Sequence, residues 1–569
     1  MAKRTFAIVA VFAALLSVTL SVQAENYDYY WTGASDSYYL TTGNWNVGSP
    51  SGQQATVGLN STGNNITAYM YNTNGVITLH NNNLGTSVYS LNIGKESGTE
   101  IASLFYDHNS TTYDFTITNG KTLSIYDGGT FTFAGAKRFV NNGTVNLNRG
   151  ASFIVTEAEL VIVDGANSVL NIKDGSTLTV TPTTYIGTGN DGATVNQTGG
   201  EATYNGRLAL GWGDHSGYYN LSGGTLTTTG EAGLWGGNGS GISEFTVSGG
   251  TANFNKTGNS FEIGLGGSNA LANKFTLQGT GIVNVADTFA VKNSGILSIE
   301  GGTFNAPTIT VDNTTSSINM TGGALNATSI NMNGKTFTQS GGTLTPKTNS
   351  GLTISGGYTL DSGATLKPNG PVTVNGTATL NGTIDMTGIF AAPNQTLTLL
   401  SATTLSDPTP SISTNWKATN ANNTLTATFT EATDAKYYLQ VAPVEGGVSY
   451  NTASNWKYYT TDGTTITQHS VGGSYIAIEG STKDCYILPY VGDNNQVQDI
   501  VVKIDNGILG VKSLTVGNGI GGSTGTVTLN RGSTAGLKID TVMTVNKGAT
   551  VNTTSSTHLT VTNSLTLNG

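Results

Sequence analysis

Cysteine occurs once in the 569 residues, as Cys485, so no intramolecular disulfide can form and stability must come from packing and backbone hydrogen bonds. Cys485 itself reads as a small buried residue rather than a reactive one. Charge is also scarce: Asp, Glu, Lys and Arg make up 10% of the chain, against about 25% in an ordinary globular protein. Past residue 24 the only arginines are Arg138, Arg149, Arg207 and Arg531, and the net charge is -10. It becomes more negative still if a leader carrying Lys3 and Arg4 is removed. Binding to a phosphate backbone needs clustered basic side chains; with no basic stripe, nucleic acid is not expected as a partner. Proline, at 11 residues, is as sparse as a sheet ladder requires of a residue without an N–H. After Leu20 no apolar run approaches the length of a membrane span.

Glycine is what abounds, at 77 residues, about twice average usage. That excludes a helix-rich enzyme. Hydrophobic residues still reach 37% and alternate with Thr, Asn and Ser, so the chain can bury apolar surface and lacks the charge excess of a disordered polymer.

Residues 1–24 carry Lys3-Arg4, an apolar stretch from Phe6 to Leu20 and the small-residue pattern Val22-Gln23-Ala24, the signature of a cleaved secretory signal. The mature chain is expected to start at Glu25, to be exported, and to carry no membrane helix. Scant cysteine suits a surface protein that crosses a periplasm without needing disulfides.

From about Val195 to Thr345 a short phrase recurs: Gln197-Thr198-Gly199-Gly200, Leu221-Ser222-Gly223-Gly224, Val247-Ser248-Gly249-Gly250, Leu277-Gln278-Gly279-Thr280, Ile299-Glu300-Gly301-Gly302, Met320-Thr321-Gly322-Gly323 and Gln339-Ser340-Gly341-Gly342. The spacing, about 20 to 30 residues, is that of a solenoid. Short alternating segments such as Phe245-Thr246-Val247 and Thr308-Ile309-Thr310-Val311 read as half-buried strands between the glycines. One coil of a parallel β-helix per repeat accounts for the pattern. Apolar side chains fill the inside, Gly-Gly turns the corners with positive φ and lets coils approach, and Thr and Asn bond between coils on the outside. The spacing is too short and irregular for a propeller, and the strands are too short for serial sandwiches.

A longer duplication surrounds the array. Val88–Gly94 returns as Val511–Gly517, Gly143–Gly150 as Gly525–Gly532, and each pair is preceded by an Asn-Trp, Asn44-Trp45 and Asn455-Trp456. The expected organisation is therefore a signal at 1–24 and a β-solenoid module at 25–434, followed by the start of a second, incomplete module at 435–569. Within the first module an aromatic N-terminal cap is expected at about 25–60, Gly-Gly coils at about 185–345 and closing strands at about 390–430. Tyr27, Tyr29, Tyr30, Trp31, Tyr38 and Tyr39 would form the cap over the open end. Leu559–Gly569 read as interior coil strands without a cap. That predicts a longer gene product and a sheet edge open to end-to-end self-association.

Trp31-Thr32-Gly33, Thr42-Gly43-Asn44-Trp45, the Gly-Gly coils, Tyr185-Ile186-Gly187-Thr188-Gly189 and the tail around Gln395–Leu400, Asn415-Trp416-Lys417 and Thr424–Ala427 together resemble autotransporter passenger domains and autotransporter-associated β-strand repeat proteins. The resemblance covers nearly the whole mature chain through repetitive patterns. It implies an all-β, right-handed parallel β-helix at, or released from, the outer surface of a Gram-negative-type cell, with an adhesive role. One departure is that no C-terminal membrane β-barrel follows the coils, so self-translocation is not expected.

Catalysis on such a fold would need grouped carboxylates, or carboxylates beside Arg or Lys, to hold an acidic sugar and move protons. Glu157 and Glu159, placed two apart on an expected strand, read as solvated surface; Asp164-Gly165, Asp174-Gly175 and Asp214-His215 read as turns. His80, His108, His469 and His558 have no ligand spacing, so no metal or cofactor is expected. The expected function is a non-catalytic structural or adhesin-like protein, with a glycan-binding or glycan-cleaving β-helix as the alternative. Surface glycans or cell-surface proteins are the candidate partners. Trp212 and Trp235 fall at matching points of successive coils, with Tyr218 and Tyr219 nearby. Exposed, they would form a contact platform; buried, they would be a core stack capping the turn, and the structural role is the one expected.

Overall fold

The computed structural model describes the chain from Asn26 to Asn568 apart from residues 33–41, 56–64, 71–75, 80–87, 96–101, 107–113, 135–136, 159, 190–191, 214, 236–240, 265–272, 313–314, 407–409, 434, 446, 463, 472–482, 492–496, 505–507, 520–526, 532–535 and 554–558. The signal segment, Tyr38, Tyr39, Glu159, Asp214, His80, His108 and His558 lie outside the described residues. The fold is nearly all β, a parallel β-solenoid that matches a right-handed β-helix. Compactness divides it into two units, residues 1–182 and 183–569, a boundary inside the first sequence module.

In the first unit the described strands from Val88 onward fall into three parallel stacks. Ala102–Tyr106, Gly129–Phe133, Ser152–Val155 and Thr177–Val180 form one. Phe115–Ile117, Phe139–Asn141 and Leu160–Val163 form the second. The third is Val88–Ile93, Thr122–Ile125, Thr144–Leu147 and Val169–Ile172. Each coil contributes one strand to each stack, so the sequence alternation becomes inside and outside: Gly129–Phe133 alternates buried and half-buried positions. Inward aromatic rings then stack at the coil spacing, as Phe131 does on Phe153 at 5.2 Å and Tyr106 on Phe133 at 4.8 Å.

The second unit repeats the plan. Inside, Tyr219, Phe245 and Phe275 stack in register at 4.9 and 5.1 Å. Outside, Asn253, Asn284, Asn305 and Asn326 form a ladder of amide bonds of 2.9, 2.9 and 2.7 Å, each coil donating to the coil before it. The Gly-Gly corners work as expected. Gly224 has φ of +74°, and a Cβ there would stand 2.2 Å from the carbonyl oxygen of Gly200 in the previous coil. The position therefore demands both a left-handed backbone and no side chain. At the end of this array the parallel pattern stops: Thr396–Ser406 and Trp416–Ala421 pair antiparallel with Thr424–Phe429.

Beyond residue 435 three further parallel stacks form, including Lys436–Leu439, Asp484–Ile487, Ser513–Val516, Val542–Val545 and Ser564–Leu567. Cys485 is fully buried in their core, and burial pushes its thiol pKa well up. The duplicated phrases do not occupy equivalent places. Val88–Ile93 and Thr144–Leu147 share one stack, two coils apart with Thr122–Ile125 between them, whereas Ser513–Val516 and Val527–Arg531 belong to different stacks. The likeness is one of local strand chemistry, not of coil register.

A buried polar device recurs in the core. Gln197 and Gln339, each directly before a polar residue and Gly-Gly, are fully buried. The Gln197 amide donates to the carbonyls of Gly200 at 3.3 Å and Thr225 at 2.9 Å, and its Oε1 accepts the Tyr219 hydroxyl at 2.7 Å. Gln339 does the same with Gly342, Thr365 and Tyr358. Each glutamine thus ties a Gly-Gly corner to the next coil from within, its amide NH2 and its carbonyl oxygen both satisfied.

Candidate functional site

Trp212 and Trp235 each follow a short strand, Leu208–Leu210 and Ala232–Leu234. Those strands are in register, Leu210 opposite Leu234, and the Trp235 amide donates to the Leu210 carbonyl as the Gly211 amide does to Ile186. Trp235 therefore continues opposite Gly211, and Trp212 stands one residue further along, which corrects the expectation of matching points. The rings meet all the same, stacked with centroids 4.6 Å apart and planes 30° from parallel. Gly211 makes room for this: its φ is +73°, and a Cβ there would come within 2.7 Å of the Trp235 carbonyl oxygen.

The pair faces outward. Trp212 is 45% exposed and Trp235 is half-buried, so the pair is an outward stack and not the core stack expected. Tyr185, half-buried on the preceding coil, packs edge-on against Trp212 at 5.3 Å and against Trp235 at 6.3 Å. The Arg207 guanidinium lies 4.6 Å from the Trp235 ring centroid and pairs with Glu231, its Nε donating at 2.7 Å and its Nη2 at 2.5 Å. Lys256 approaches the same carboxylate at 3.9 Å. Three successive coils thus hold an aromatic cluster beside a small charge network. The charges are more than a third exposed on the basic side, so the ion pair adds only about 0 to 1 kcal/mol of stability. Its larger effect is to fix the guanidinium against the indole, a contact worth about 0.5 to 1 kcal/mol at an exposed site.

Tyr219 does not belong to this surface. It is fully buried in the core stack and hydrogen-bonded to Gln197, because in an alternating strand its neighbour Tyr218 takes the outward position. Tyr218 is half-exposed and lies in register with Thr194 and Glu244. Sequence reasoning did not single out Tyr185 or Arg207. Tyr185 could have been found, since Tyr185, Ala209 and Gly233 stand in one register column, where a large ring is followed by two small residues that leave space above them.

Glu157 is exposed at a bend between strands rather than on one. Gly165 and Gly175, with φ of +128° and +69°, form the turns expected of the Asp-Gly pairs. Among the described residues no group of three or more His, Cys, Asp or Glu could hold a metal ion, and no helix is long and apolar enough to cross a membrane.

A scan against protein-family models finds no match for this chain, and searches of curated proteins and of solved structures find none either.

Proposed function

We propose that the chain is an exported, surface-exposed structural or adhesin-like β-solenoid without catalytic activity, secreted or held at the outer surface of a Gram-negative-type cell in the manner of autotransporter passengers. The observation that carries this reading is the outward-facing Trp212–Trp235 pair on a solenoid that carries a ladder of uncharged Asn side chains on its outer side. An aromatic cluster on a solenoid face presents a contact surface at low entropic cost, because its side chains are already ordered by stacking. Surface glycans or cell-surface proteins are the partners. A glycan is favoured by the Arg207–Glu231 pair beside the indoles, which offers hydrogen bonds at the rim of an apolar face. The test is adhesion of the full chain to cells and immobilised glycans: replacing both residues, Trp212→Ala and Trp235→Ala, should lower binding while the circular dichroism stays unchanged. Undiminished binding would remove the pair from the contact surface.

A further inference from the structure

A second concave site lies within the unit of residues 183–569, where the antiparallel strands that end the first coil array meet the opening strands of the second. It is a cavity of about 450 Å³, within the range of small-molecule sites. Its apolar side is formed by Phe390 and Trp416, the latter 9% exposed. Its polar side holds Glu431 and Lys436, which form an ion pair of 2.6 Å, together with Tyr438 and Tyr486, whose rings stack at 5.1 Å. Tyr438 is only 3% exposed, yet among the described residues neither phenol hydroxyl has a hydrogen-bond partner. The contrast with Tyr459 is direct: its hydroxyl donates to Gln440 at 2.6 Å. Neither oxygen is fully enclosed, so each hydroxyl is left to bond with whatever occupies the cavity, water or ligand.

We propose that this cavity binds a neutral sugar ring, such as the end of an uncharged glycan. A pyranose has an apolar face suited to an indole and a rim of hydroxyls that both donate and accept. The Glu431 carboxylate accepts from those hydroxyls, the Lys436 ammonium donates to them, and the two phenols donate as well. Burial keeps both phenols protonated at neutral pH, and the Tyr486 pKa is pushed up to about 12 by desolvation and by the nearby Asp484 and Glu431 carboxylates. The Glu431–Lys436 pair is neutral as a unit, so a ligand with net charge would break the pair or leave its own charge uncompensated in a half-enclosed site. A neutral polyol meets neither cost.

The experiment is saturation-transfer NMR and titration calorimetry on the full chain with D-galactose, N-acetyl-D-glucosamine and D-glucuronate as probes. At least one neutral sugar should receive saturation and bind about tenfold or more tighter than glucuronate. The double variant Tyr438→Phe, Tyr486→Phe keeps the rings and removes only the hydroxyls; it should weaken that binding about tenfold with an unchanged melting temperature. Should the double variant unfold, Tyr486→Phe alone, on a half-buried ring, gives the same reading at smaller amplitude. All titrations are run in the Trp212→Ala, Trp235→Ala background, so that sugar held at the platform does not contribute and the cavity is read alone. Transfer to neither neutral sugar, glucuronate binding as tightly as both, or unchanged affinity in the phenylalanine variant would each overturn the assignment.

Discussion

The tryptophans of the module starts and those of the Gly-Gly coils do opposite work. At the N-terminal start a 3-10 turn, Thr42–Asn44, delivers Trp45 into a strand antiparallel to Asn26–Trp31. At residue 436 the same device returns: the turn Ala453–Asn455 delivers Trp456 into a strand antiparallel to Lys436–Leu439. Both indoles are fully buried. Trp45 takes Trp31 edge-on at 5.2 Å, and Trp456 takes Tyr450 edge-on at 5.1 Å while donating its Nε1–H to the Tyr450 carbonyl at 2.7 Å. Trp212 and Trp235 follow glycine-flanked corners instead, where the chain leaves the strand before the side chain can turn inward. The lesson is that in this solenoid the local turn, not the residue type, decides whether an indole is buried or points outward.

The comparison can be broken most forcefully at the buried side. Trp456→Ala would remove a fully enclosed indole and its hydrogen bond, so a loss of about 3 to 5 kcal/mol is expected, read as a lower midpoint in urea unfolding followed by circular dichroism. Gly224→Ala tests a Gly-Gly corner of the coils that carry the outward pair. A left-handed non-glycine residue alone costs about 1 to 3 kcal/mol, and the clash with Gly200 places the variant at the upper end. Tyr219→Phe leaves the Gln197 Oε1 without its 2.7 Å donor and should cost about 1 to 3 kcal/mol; Tyr358→Phe should match it, because the Gln339 device is the same.

Alkaline pH acts more gradually. Desolvation raises Tyr106 and Tyr459 from 10.0 to about 12, so the unfolded chain releases these protons first. Stability should therefore be full below about pH 10 and fall as pH rises through 12, with tyrosinate absorbance and loss of β-structure appearing together. Smallest of all is Trp212→Ala, whose exposed ring should change stability by no more than about 1 kcal/mol while its effect on binding is large.

How far the sequence carried these features follows from their range. Gly-Gly corners, alternating strands and Asn ladders are local or recur at the coil period, so the solenoid was legible in residues such as Gly224 and Asn305. The inward turn of Tyr219 was legible too, from strand alternation, but proximity to Trp212 in sequence obscured it. Gln197 stood inside a recognised phrase, yet its partner Tyr219 lies a full coil away, and nothing local marks a buried amide. The cavity brings Phe390 and Trp416 against Tyr486, groups separated by 70 residues or more. Only the packing of one set of strands on another creates it, so no spacing rule could point to it.

Acrylamide quenching of tryptophan fluorescence tests the central division most directly, by comparing the wild-type chain with a Trp212→Phe, Trp235→Phe variant. The account predicts that the wild type contains a readily quenched component and that the variant loses most of it, leaving shielded emission from Trp45, Trp416 and Trp456 and a smaller quenched contribution from half-buried Trp31. A variant that keeps the quenched component in full would place the exposed indoles elsewhere and contradict the account.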